Sequence, residues 1–129
     1  MEERVKSEQR ETERLVEAIE KRLARRLNLQ VRNAFLQIPR HLFIEAYYQQ
    51  QGNRLAWDQI ASPEPEAIYC DEALVTKLDE QGHPMSSSSQ PSVMARQLEL
   101  LDLGPGLAVL EIGTGTGYNA ALMGTLLIS

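Results

Sequence analysis

The run LAVLEIGTGTGY at 107–118 constrains this chain more than any other part of its sequence. LAVLEIG at 107–113 is a short apolar stretch of the kind that forms a buried parallel strand. Glycines follow at 113, 115 and 117, and a helix-forming run begins near Tyr118. The order strand, glycine turn, helix is what gives the run its meaning. Glycine permits positive φ and close approach of backbone to a ligand, and a helix N-terminus presents unpaired N–H groups. Together they form a cradle for the polar part of a nucleotide-like cofactor. The dinucleotide fingerprint G-x-G-x-x-G is not met, because Tyr118 stands where its last glycine belongs and an additional glycine occupies 117. A plain strand-to-helix turn could use the same glycines for packing alone. The flanking elements, and Glu111 at the strand end, raise the weight of the ligand-binding reading.

Upstream, the pattern is largely helical. Residues 1–27 carry eight Lys or Arg and seven Asp or Glu, lack Gly and Pro, and set Leu15, Ile19, Leu23 and Leu27 at four-residue intervals. That spacing predicts a charged amphipathic helix with a narrow apolar stripe. A second helix is expected after Asn28, with Val31, Ala34, Phe35 and Ile38 on one face and Pro39 ending it. Residues 41–48 suggest a further helical turn or two, and ASPEPEAI at 61–68 a loop. Trp57, with Leu55 and Ile60, is expected to pack the helical part. Partial alternation at Leu74–Leu78 followed by DEQG predicts a strand or hairpin. HPMSSSSQPS at 83–92 has the composition of a loop, and a helix is expected from about Val93 to Asp102, closed by Gly104. The chain divides on this basis into a charged helix (1–28), a helical and hairpin subdomain (29–102), and a third segment, 103–129.

A family resemblance is carried by four segments in order: PRHLF at 39–43, IYCDEAL at 68–74, SSSQPSVMA at 87–95 and VLEIGTGTGYNAAL at 109–122. The spacing E-x-G-x-G-x-G resembles the first motif of S-adenosylmethionine-dependent methyltransferases, and the four segments together resemble protein-L-isoaspartate O-methyltransferases over about residues 30–128. The resemblance implies an α/β fold: an N-terminal helical subdomain leading into the first strand, glycine loop and helix of a Rossmann-like methyltransferase domain. It also implies S-adenosyl-L-methionine as cofactor and an isoaspartyl residue of a protein or peptide as substrate, methylated on its carboxylate to begin repair. Looser relatives act in peptide natural-product pathways, and SSSSQPS with TGYNAAL looks at least as close to those. Ser89 matches the family's active-site serine and would orient the substrate carboxylate. Gln90, Glu111, Gly113, Gly115 and Gly117 would bind the cofactor. A carboxylate is ionised and nucleophilic at neutral pH, so positioning rather than a general base supplies most of the catalysis. A carboxylate at the strand end also suits a cation-bearing ligand better than a pyrophosphate.

Only 12 residues follow Gly117, whereas the acidic residue that binds ribose hydroxyls lies about 20 residues beyond such a turn. The expectation is therefore an N-terminal portion of the enzyme, inactive alone, for which a complementary C-terminal chain would be a partner. The alternatives are an NAD-binding oxidoreductase fragment and a non-catalytic helical interaction module. The net charge of −5 argues against nucleic acid as a partner. The charged first residues differ from a signal peptide, and no apolar run approaches the roughly 20 residues of a membrane span, which suggests a cytoplasmic chain. His41 and His83 lack companions at metal-ligand spacing, so no metal is expected. Cys70 is expected to be a small, partly buried residue rather than a nucleophile.

Overall fold

A computed structural model describes residues 1–53 and 55–128. Among the described residues there are five α-helices: α1 (Glu2–Leu23), α2 (Leu29–Gln37), α3 (Pro65–Ile68), α4 (Pro91–Leu101) and α5 (Tyr118–Ile128). Four strands, β1 (Tyr47–Gln50), β2 (Trp57–Ile60), β3 (Leu74–Leu78) and β4 (Pro84–Ser88), form one antiparallel sheet in the order β2-β1-β3-β4. The architecture is α/β, as the sequence implied. No helix among the described residues is long and apolar enough to cross a membrane.

The helices form because their apolar residues recur on one face and find one another. Leu15, Val16 and Ile19 of α1 are buried with Val31, Ala34 and Phe35 of α2, Met94, Ala95 and Leu98 of α4, and Leu122, Met123 and Leu126 of α5. Burial of each large side chain is worth roughly 1.5–3 kcal/mol, which far exceeds helix propensity as a source of stability. Asn28 caps α2 by accepting a hydrogen bond from Val31 N–H at 2.8 Å. Helix α1 ends at Ala24 in the left-handed region, φ 55°.

Several expectations from the sequence are corrected here. Residues 41–48 do not continue as helix: a single 3-10 turn at Arg40–Phe43 gives way to β1, where Tyr47 pairs with Ile60 and Gln50 with Trp57 of β2. The strand pairing satisfies backbone groups irrespective of the glutamines, whose local preference is overridden. Trp57 accordingly belongs to the sheet rather than the helical layer, and Leu55 is exposed. The loop at 61–68 contains α3, started by Pro65 at its first turn. The serine-rich stretch forms β4, because a ladder is made by backbone and asks little of the side chains; Leu74 pairs with Ser88 and Leu78 with Pro84.

The largest correction concerns the apolar run at 107–113. Residues 107–112 pair with none of the four strands, and Leu110 and Ile112 are 86% and 90% exposed. A strand exists only where a neighbouring strand takes its N–H and C=O groups, and here the Leu107 N–H closes a turn onto the Gly104 carbonyl oxygen at 3.3 Å instead.

A polar tie joins α4 to the α1–α2 junction. Glu99 accepts from Arg25 Nη2 at 2.7 Å and from the Asn28 N–H at 2.7 Å, and the Arg25 hydrogen bond holds its carboxyl below the ordinary value of 4.5. This contribution is complete above 4.5 and is lost as pH falls through the lower folded-state value. The melting temperature of the natural chain should therefore drop more steeply on acidification from about pH 5 to pH 3 than that of Glu99→Gln, as followed by circular dichroism.

Candidate functional site

The edge strand β4 and the glycine turn are far apart in sequence, and the fold sets them face to face. Gly113, Gly115 and Gly117 take φ of 77°, 58° and 87°, a region that L side chains rarely enter. At Gly115 a methyl group would come within 3.8 Å of the Ser87 carbonyl oxygen, so here the two walls are in van der Waals reach. Between them lies a cavity of about 340 Å³. Residues 86–89 line one side; Glu111, residues 113–116 and Asn119 line the other, with Met94 and Gln97 of α4. A larger groove of about 770 Å³ opens beside α1 and α3, but its arginines are already paired, Arg14 with Glu11 and Glu66, Arg22 with Asp71 and Glu72.

The residues singled out in the sequence are not all placed alike. Ser89 is an exposed residue at the cavity rim, whereas Ser88, beside it, is buried. Glu111, Gly113 and Gly115 line the cavity. Gly117 does not; it faces Phe43, whose Cδ1 would lie 3.9 Å from an added methyl. Gln90 also turns elsewhere, its amide donating to the Asp71 carbonyl oxygen at 3.1 Å and to Asp71 Oδ2 at 3.4 Å. Glu111 Oε2 accepts from Asn119 Nδ2 at 2.7 Å, which leaves Glu111 Oε1 and Asn119 Oδ1 buried without a partner among the described residues. Buried acceptors without donors are costly. These two face a need for N–H or O–H groups, and a pyrophosphate, which brings only acceptors, could not meet it.

Behind the cavity lies a polar network that the sequence did not announce. Arg40 is fully buried. Its Nη1 donates to the carbonyl oxygens of Ile68 and Cys70, each at 2.9 Å, and its Nη2 to the carbonyls of Glu72 at 3.1 Å and Ser89 at 3.3 Å, and to Ser88 Oγ at 3.4 Å. Burial lowers its affinity for the proton, while Tyr118, Cys70 and Asp71 act the other way. The guanidinium carbon is 5.8 Å from the centre of the Tyr118 ring, which also packs on Phe35 and Phe43. Burial raises the Tyr118 phenol well above its ordinary range, against the pull of Arg40. Tyr69, likewise pushed up to about 12 by burial, meets His41 Nδ1 at 2.7 Å through its hydroxyl.

Asp71 is the second hub. Its Oδ1 accepts from the Ser92 N–H at 2.7 Å, capping α4 from outside where the N-cap residue Gln90 makes no side-chain cap, and its Oδ2 meets Arg22 Nε at 3.2 Å. Glu72, next in the chain, meets the same guanidinium, its Oε1 3.2 Å from Arg22 Nη2. Charged residues set inside the apolar contexts IPRHLFI and IYCDEAL were the available signal for both hubs.

Comparison with known proteins gives the family. The family model of protein-L-isoaspartate(D-aspartate) O-methyltransferase matches residues 10–128. A protein-L-isoaspartate O-methyltransferase of Thermotoga maritima is 42% identical over 93 residues, covering 72% of this chain and 24% of the relative. A solved protein-L-isoaspartate O-methyltransferase superposes with a TM-score of 0.62 at 34% identity, over 90% of this chain and 30% of the other. The chain thus spans about a quarter of the length of the curated relative it matches. With the glycine turn, the serine segment and nearly its whole length inside the matched region, the chain belongs to the protein-L-isoaspartate O-methyltransferase family.

Proposed function

We propose that this chain supplies the donor-binding turn and the carboxylate-orienting loop of an S-adenosylmethionine-dependent carboxyl O-methyltransferase that acts on isoaspartyl residues of proteins or peptides. The observation that carries this reading is the pair of buried, unpartnered acceptors, Glu111 Oε1 and Asn119 Oδ1, beside an open glycine turn. S-adenosylmethionine fits such a wall, because its ammonium end brings N–H donors and positive charge. When bound, it supplies an electrophilic methyl group.

The chain's own residues do the rest. Glu111 and Asn119 would receive the ammonium, and the backbone at Gly113 and Gly115 would let the ligand approach without a side chain in the way. The N-terminus of α5 offers unpaired N–H groups to the ligand's carboxylate. On the opposite wall Ser89, at the rim, would hold the isoaspartyl carboxylate by a hydrogen bond, fixing the attacking oxygen in line. Orientation of this kind converts a slow encounter into a positioned one.

Isothermal titration calorimetry of the purified chain with S-adenosylhomocysteine should register binding, and titration with NADH should not. Heat from NADH alone would overturn the proposal in favour of an oxidoreductase. Glu111→Gln removes the charge from a charge-assisted bond and should weaken S-adenosylhomocysteine binding by about tenfold or more, with the circular dichroism spectrum unchanged. Ser89→Ala should leave that affinity within about twofold, since Ser89 is not part of the donor wall. In the presence of S-adenosylhomocysteine, the same variant should weaken binding of a fluorescently labelled isoaspartyl peptide by about fivefold, as read by anisotropy.

A further inference from the structure

We infer that Arg40 and Asp71 are positioning residues, a buried clasp that holds the serine wall of the cavity at a fixed distance from the glycine wall. Four observations point to this. The segment 68–72 presents its alternate carbonyls, those of Ile68, Cys70 and Glu72, to the Arg40 guanidinium. The same guanidinium reaches across to Ser88 Oγ and the Ser89 carbonyl oxygen, at the end of β4 and the cavity rim. Its carbon lies against the ring of Tyr118, the first residue after the glycine turn. From its other side the segment 68–72 offers Asp71, which takes the Gln90 amide and the Ser92 N–H.

The loop from Ser88 to Ser92 is therefore gripped at both ends, by Arg40 before Ser89's side chain and by Asp71 after it. Ser89 itself contributes only a backbone carbonyl to the grip and stays exposed. Such a loop holds one residue at a defined height over the cavity while leaving its hydroxyl available.

Arginine is required by the geometry. Five acceptors are spread over two chain segments, and a planar fork with several N–H groups spans them. Lysine carries the charge but places three donors on one nitrogen, so carbonyls at one segment would be left without a donor. The identity of the ligand rests on the proposed function above, whereas the clasp itself does not.

The test compares Arg40→Lys and Asp71→Asn with Val16→Ala, a buried residue of α1 outside both the clasp and the cavity. Hydrogen exchange under native conditions reads the amides of residues 89–94, and calorimetry reads S-adenosylhomocysteine binding. All three variants should lower the melting temperature. Only the clasp variants should raise exchange at 89–94 by about tenfold beyond the change seen in distant helices, and only they should weaken S-adenosylhomocysteine binding, by about threefold to tenfold. Exchange at 89–94 that follows the global loss of stability in the clasp variants, as it does in Val16→Ala, would overturn the inference. Should Arg40→Lys fail to fold, Asp71→Asn gives the same reading from the other end of the loop. If the natural chain binds no S-adenosylhomocysteine, the proposed function fails, and the exchange comparison still decides the clasp.

Discussion

A guanidinium placed where no water reaches it governs the layout of this fold. Removing an ion from water costs several kcal/mol even after relaxation, so a buried arginine persists only where acceptors surround it. Arg40 meets that condition at its two terminal nitrogens, with the backbone carbonyls of 68, 70, 72 and 89 and the Ser88 hydroxyl, while its Nε has no partner among the described residues. The carbonyls in turn belong to segments with no helix or sheet partner for them, and would be orphaned without the arginine. Each side of the arrangement makes the other affordable, and neither the hairpin β3–β4 nor the start of α4 could sit where it does with an apolar residue at 40.

The helical layer depends on different physics. Its core is mostly apolar, gathered from α1, α2, α4 and α5, and tolerates imprecise geometry because burial is not directional. The polar hub is directional and fixes angles as well as distances. Tyr118 belongs to both, its ring packed on Phe35 and Phe43 with the guanidinium nearby. The glycine turn is thereby anchored to the helical core and to the hub through a single ring.

What could be read from the sequence follows the same division. The stripe of α1 at Leu15, Ile19 and Leu23, the helix after Asn28, the strand at Leu74–Leu78 and the start of α5 all announce themselves through local spacing, and the structure has them. The glycine turn and the serine segment were both picked out, and the fold brings them to one cavity. The strands β1, β2 and β4 were not visible, because their stability resides in pairing between segments and not in the side chains of Gln49, Gln50 or the serines. Residues 107–112 show the converse: a strong strand pattern has no ladder when no described neighbour lies beside it. Arg40 and Asp71 stayed hidden because their roles exist only once residues about 30 and 20 positions away have been folded around them.

β4 lies at the margin of the sheet, paired with β3 along one edge only. Drift at positions 84–87 can accordingly reshape one rim of the cavity while the glycine wall remains untouched. A wall with this freedom gives a lineage room to exchange one class of ligand for another over evolutionary time while keeping its scaffold.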